Sequence, residues 1–147
     1  MKNYKSCLLL ALFICVSCVT LLHAENNSVF IKKLKVEYAE MPLGIDVEKP
    51  RFSWQMVVPD TERGYSQKAY QIIVTDEMGS LVWDSGKVSS DLSLNIEYAG
   101  TPLQPATCYF WTVNVWNQRG EQSSETSWFE TGLMSKTSPY EGWSGAK

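Results

Sequence analysis

Between residues 33 and 132 the chain switches repeatedly between apolar and polar side chains with a period of two, as expected of extended strands with one buried face. In RFSWQM, Phe52, Trp54 and Met56 fall on one side, and Ser53 and Gln55 fall on the other. KAYQIIVTD places Tyr70, Ile72 and Val74 together. In CYFWTVNVW, Tyr109, Trp111, Val113 and Val115 point one way, while Phe110, Thr112, Asn114 and Trp116 point the other. Shorter runs of the same character are LKVEY at 34–38, LVWDSG at 81–86, NIEY at 95–98 and SWFETG at 127–132. Between them lie turn-forming stretches: MPLGIDVEKP, VPDTERG, EMGS as a tight hairpin turn, and the polar loop NQRGEQSSE. No stretch sustains an apolar 3.6-residue period, so the pattern predicts strands and no helix.

Seven strands in about a hundred residues predict an all-β protein, a seven-stranded fibronectin type III or immunoglobulin-like β-sandwich. In such a sandwich Trp54 and Trp111 are expected to meet between two sheets about 10 Å apart, each burying roughly 150–250 Å². The segment LQPATCYFW, residues 103–111, sharpens the assignment. Leu103, Pro105, Thr107 and Tyr109 recur every second residue, which predicts one side of an extended entry into a strand. Pro105 suits a corner between sheets, and Tyr109 is placed to bond its hydroxyl to backbone near residues 103–105, the arrangement known as a tyrosine corner. Tyr98, in a short strand without that spacing, carries no such signal.

The first 24 residues differ in kind from the rest. Lys2 and Lys5 precede an uncharged run from Ser6 to Ala24, which describes a secretory signal peptide cleaved between Ala24 and Glu25. A membrane anchor is the alternative, but the polar, Asn-rich segment that follows Ala24 favours cleavage. Acylation at Cys18 fits less well, because Cys15 and Ser17 stand where a lipoprotein signal wants Leu and a small Gly or Ala. The expected organisation is therefore a signal at 1–24, a linker at 25–32, the sandwich at 33–132 and a second linker at 133–147. Localisation is expected to be periplasmic or extracellular, with no membrane association after cleavage.

Cleavage changes the charge and the cysteine count. The 13 basic residues fall to 11 against 16 acids, a net charge of −5, which repels polyphosphate and argues against a nucleic-acid partner. Cys7, Cys15 and Cys18 leave with the signal, so Cys108 has no partner for an internal disulfide. The sole histidine, His23, leaves as well. Without it there is no basis for Ser-His-Asp or Cys-His catalysis or for the common zinc sites, and neither cofactor nor metal is expected.

The remaining candidates for chemistry are few. Asp84 and Asp91 are the nearest thing to a carboxylate pair for glycoside hydrolysis, yet each sits among serines and glycines where a turn role is the simpler reading. Cys108 has no identifiable activating neighbour and reads as an inert thiol. Phe110 and Trp116 project outward and form a possible contact face. They suit packing against a neighbouring domain, with sugar stacking as the alternative. The pattern assigns no face to Trp83 or Trp128.

Taken together, EYAEMPLGIDVEKPRFSW, AYQIIV, LVWDSGKVSSDLSLNIEYAG, LQPATCYFWTVNVWNQRGE and WFETGL resemble the N-terminal fibronectin type III-like module of bacterial α-L-rhamnosidases of glycoside hydrolase family 78. The resemblance covers roughly residues 33–147. Its more specific parts are the PLGID and PRFSW pair and the WDSGKV block. It implies a secreted enzyme that removes terminal rhamnose with inversion, using carboxylates in a downstream (α/α)₆ barrel. None of those catalytic positions maps onto these residues. The expectation is thus a non-catalytic front module whose partners are the downstream domains of a rhamnosidase-like enzyme. Plant or microbial rhamnose-containing glycans are a further candidate, and a free-standing carbohydrate-binding or adhesion module is the alternative.

Overall fold

The computed structural model describes residues 29–58 and 63–134. The proposed signal, with Ala24, Glu25 and His23, lies outside the described residues. Seven strands follow in order: β1 (Phe30–Val36), β2 (Arg51–Val57), β3 (Gln67–Asp76), β4 (Leu81–Asp84), β5 (Ile96–Glu97), β6 (Cys108–Asn117) and β7 (Gln122–Glu130). They form two antiparallel sheets, one ordered β1-β2-β5 and the other β4-β3-β6-β7. β4 joins the sheet of β3, β6 and β7. In a constant-type immunoglobulin domain the fourth strand lies on the opposite sheet.

The alternation in β2, β3 and β6 predicts their burial well. Phe52, Trp54, Ile72, Val74, Trp111, Val113 and Val115 are almost wholly buried, and Tyr70 and Tyr109 join them in the same core. β3 and β6 pair continuously from Ala69↔Trp116 to Asp76↔Tyr109, and this long ladder forms the spine of the larger sheet.

Four boundaries differ from the sequence expectation. β1 starts at Phe30 rather than Leu34, inside the stretch read as linker, and stops at Val36. A bulge between Lys32 and Lys35, with Lys33 at φ 52°, resets the alternation so that Ile31, Leu34 and Val36 all reach the core. IKKLKV hides that face from a strict period of two. Beyond Val36, Glu37 and Tyr38 adopt positive φ in a turn rather than extending the strand.

β7 also begins earlier than expected, at Gln122 within the polar loop. Its nine residues pair with β6 from Trp116↔Gln122 to Cys108↔Glu130 although the first half carries little apolar surface. The backbone ladder and the buried Ser123, whose Oγ donates to the Val29 carbonyl at 2.8 Å, hold it in place. At the other end, Met134 packs against the core, so the sandwich continues past residue 132.

The tryptophans take different partners from those expected. Trp111 meets Phe52 across the sheets at 4.8 Å between centroids, and Trp54 meets Tyr70 at 5.4 Å. Phe52 is the hub of the aromatic core, since it also contacts Trp83 and Phe129, each at 6.0 Å. Trp54 has a second task. Its Nε1 donates to Gln67 Oε1 at 3.0 Å, and the Gln67 amide in turn donates to the carbonyls of Leu92 and Ser90, which ties the long β4–β5 connection to the core. Trp111 Nε1, by contrast, is buried without an acceptor among the described residues, so its contribution is packing alone.

Candidate functional surface

The tyrosine corner is present. Tyr109 is 2% exposed, its ring stacks on Phe129, and its hydroxyl accepts a hydrogen bond from the Gln104 N–H at 2.8 Å. The approach to it is not extended as the two-residue spacing predicted. Residues 105–106 form a turn with Ala106 at φ 46°, so Leu103 is buried while Pro105 is exposed. Thr131, from the end of β7, closes the corner from the other side. Its hydroxyl donates to the Gln104 carbonyl at 2.6 Å and accepts from the Thr107 N–H at 3.0 Å. Sequence reading missed Thr131 because its role depends on a strand end 24 residues away from Thr107.

Tyr98, which the pattern passed over, is buried just as deeply and donates its hydroxyl to the Thr101 carbonyl at 2.6 Å. Trp83 meets its ring edge-on at 5.1 Å. Burial pushes the phenol's pKa upward, partly offset by the bond to Thr101. Trp83 thus gains a face: it lies partly buried between Phe52 and Tyr98.

The candidate reactive groups have structural surroundings. Asp84 Oδ1 accepts from the Gly86 N–H and from Gln71 Nε2, both at 2.8 Å, as a turn-forming carboxylate does. Near Asp91, the adjacent Ser90 hydroxyl accepts from the Leu92 N–H at 3.1 Å. Cys108 is partly buried, and desolvation, with Glu130 and Glu77 adding to it, pushes its thiol pKa up and away from thiolate reactivity. No group of three His, Cys, Asp or Glu side chains among the described residues is arranged to hold a metal ion.

At the mouth of β2, Glu37 grips Arg51 through a paired contact. Its carboxylate accepts from Arg51 Nη2 at 2.7 Å, from Nε at 3.0 Å and from the Arg51 backbone N–H at 2.8 Å. These bonds hold the Glu37 carboxyl below its ordinary pKa. The stabilisation they bring is therefore present at neutral pH and lost as the pH falls through the lowered value.

Phe110 and Trp116 do share the outer face of the larger sheet. Phe110 is 42% exposed and stands opposite Trp128 in register, while Trp116 stands opposite Gln122. Six residues separate them along β6, a distance of about 20 Å, and a polar band runs between. Asn114 Nδ2 donates to Gln71 Oε1, Gln122 Nε2 donates to Asn114 Oδ1, and the Thr112 and Thr126 hydroxyls share a bond at 2.9 Å. Lys87 Nζ lies 4.0 Å from the Trp116 ring centroid and covers one face of that ring. The outer face is therefore two separated aromatic positions divided by an amide ladder.

A sequence profile of the Rha78A-like N-terminal immunoglobulin domain family matches residues 31–135. The chain is similar to an α-L-rhamnosidase of Streptomyces avermitilis, 50% identical over 105 residues covering 67% of this chain and 10% of that protein. It is also similar to an α-L-rhamnosidase of Formosa agariphila, 35% identical over 154 aligned positions covering 99% of this chain and 15% of that protein. The solved structure of the S. avermitilis enzyme complexed with L-rhamnose superposes with a TM-score of 0.66 at 44% identity, over 72% of this chain and 11% of that one. The α-L-rhamnosidase from Dictyoglumus thermophilum superposes with a TM-score of 0.65 at 36% identity, over 73% and 13%. This chain spans 10 to 15% of the length of the two curated relatives. By its sandwich, its tyrosine corner and a match running through all seven strands, the chain belongs to the Rha78A-like N-terminal immunoglobulin domain family of the α-L-rhamnosidases.

Proposed function

We propose that this chain is a non-catalytic scaffold of an exported α-L-rhamnosidase, a module that stabilises the enzyme by packing against its downstream domains. One observation carries the reading: the family match fills the sandwich, and the sandwich accounts for a small share of the much longer α-L-rhamnosidases it resembles. The best-placed carboxylate, Asp84, is engaged in turn and side-chain hydrogen bonds, consistent with a scaffold rather than a reacting centre. Export rests on Lys2, Lys5 and the apolar run that follows them. Phe110, with Trp128 beside it, is one contact position for a neighbouring domain.

A carbohydrate-binding or adhesion role would have to use the same aromatics. Lys87 covers one face of the Trp116 ring and would compete there with a stacked sugar, which weighs toward the packing reading. The test is to delete the aligned stretch from the F. agariphila enzyme and then to replace it with this chain. Deletion should lower the melting midpoint. The graft should restore it toward the midpoint of the intact enzyme. A graft that melts like the deletion would remove the scaffold reading.

A further inference from the structure

The end of β7 carries a second surface, built differently from the outer face. The loop at 42–47 runs beside residues 130–132 as an added strand, joined by a parallel bridge between Ile45 and Thr131. Glu130 N–H donates to the Pro42 carbonyl at 3.0 Å, Ile45 N–H to the Glu130 carbonyl at 2.9 Å, and Gly132 N–H to the Ile45 carbonyl at 2.8 Å. Ile45 is buried in the core. Asp46 then fixes the path out of the sandwich, because its Oδ1 accepts the Met134 N–H at 2.9 Å. Its carboxylate also lies so close to Gly132 that a side chain there would collide with it.

This rigid scaffold holds apolar side chains in water. Met41, Leu43, Val47 and Leu133 are 51%, 68%, 43% and 66% exposed. The bridge at Ile45 and Thr131 brings Val47 and Leu133 to adjacent positions of the two segments. Beside them opens a pocket of roughly 270 Å³ whose wall combines Tyr98, Pro102, Leu103 and Met134 with Glu48 and Lys49. Exposed leucines on a pinned backbone, next to a pocket of side-chain size, have the anatomy of an interface rather than of a solvated loop.

We propose that this shelf is the docking surface for the domain that follows in rhamnosidases, which seats an apolar side chain in the pocket and covers Leu43, Val47 and Leu133. The occupant is argued from position. The family match ends at residue 135, immediately past the shelf, and in relatives of which this segment is 10 to 15% most of the polypeptide lies outside it. A following domain emerges beside the shelf with its orientation already limited by the Asp46–Met134 bond. Interfaces between domains of one chain typically bury about 600–1,500 Å², which a shelf and pocket of this kind can nucleate.

The inference rests on the scaffold reading, and its test separates the two. Graft the full chain into the F. agariphila enzyme as above, with and without the paired substitutions Leu43→Glu and Leu133→Glu, and with Phe110→Ser as a comparison on the outer face. The shelf pair should make proteolytic cleavage after the sandwich about tenfold faster, equivalent to losing about 1.4 kcal/mol of docking. The same pair should leave the denaturation midpoint of this chain alone unchanged, and Phe110→Ser should have a smaller effect in the graft. If the shelf pair leaves the graft as resistant as the unsubstituted one, or if Phe110→Ser does more harm, the shelf is not the docking surface and the scaffold reading survives. If the isolated chain is destabilised, the leucines serve its own fold, and the inference falls. If the unsubstituted graft itself behaves like the deletion, both fall together.

Discussion

Tyr98 and Tyr109 perform similar tasks at two loops, and only one of them could be recognised from its neighbours in the chain. Each is 2% exposed, and each bonds its hydroxyl to the backbone of its own loop. Tyr109 accepts from the Gln104 N–H within a five-residue span that begins with a Leu-Pro-Thr spacing. Tyr98 donates to the Thr101 carbonyl, and its ring is held by Trp83, from another strand, and by the absence of a side chain at Gly100. A corner written in local sequence can be read locally. One assembled by tertiary contacts cannot.

The two loops are joined through the core. Tyr98 touches Trp83, Trp83 touches Phe52, Phe52 touches Phe129, and Phe129 stacks on Tyr109. The largest effect should therefore come from Phe52→Ala, which should cost about 3–5 kcal/mol and loosen both loops together. Urea denaturation gives the cost, and amide exchange at Tyr98, whose N–H donates to the Pro50 carbonyl, and at Gln104 shows whether both loops respond. Protection lost at one residue alone would break the chain of contacts. Trp111→Ala belongs to the same class and should cost a similar amount, because its ring packs on Phe52.

Gly100→Ala should act on the Tyr98 loop alone. A methyl at that position would stand 2.6 Å from Trp83 Cβ and would also run into the Tyr98 hydroxyl, so overpacking of about 1–3 kcal/mol is expected, with Gln104 protection unchanged. Hydroxyl removal sharpens the comparison further. Tyr109→Phe strands a backbone N–H and should cost about 1–3 kcal/mol. Tyr98→Phe strands a carbonyl, a group that tolerates a missing partner better, and should cost less. Equal urea midpoints for the two variants would erase the difference between donor and acceptor. Thr112→Ala marks the floor at well under about 1 kcal/mol, since it loses an exposed bond to Thr126 on the outer face.

What the sequence disclosed followed from regular alternation. β6 carries an unbroken period of two, and the inward residues of β6, with Phe52 and Trp54 in β2 and Tyr70, Ile72 and Val74 in β3, fell where the period put them. Where the backbone breaks the period, the reading broke as well. The bulge at Lys33 conceals the inward face of β1, and the left-handed turn at Ala106 folds what looked like an extended entry. β7 was shortened because its ladder is backbone chemistry that polar side chains do not advertise. Trp54 and Trp111 were correctly placed in the core and wrongly paired, since alternation gives a face and not a height along the strand. The outward positions of Phe110 and Trp116 were legible, but the lysine on Trp116 and the amide ladder between them were not. The shelf escaped notice for a further reason: Leu43 and Val47 are far from Leu133 in sequence and are brought beside it only by the bridge of Ile45 to Thr131.

Under the scaffold role proposed above, this chain would contribute structure to rhamnoside hydrolysis and supply none of its chemistry. The most direct measurement is the release of the aryl group from an aryl α-L-rhamnoside by purified residues 25–147, beside a heat-inactivated sample of the same protein and an intact α-L-rhamnosidase as positive control. Release no faster than in the heat-inactivated sample is expected. Turnover above that background, proportional to protein and abolished by heat, would contradict it.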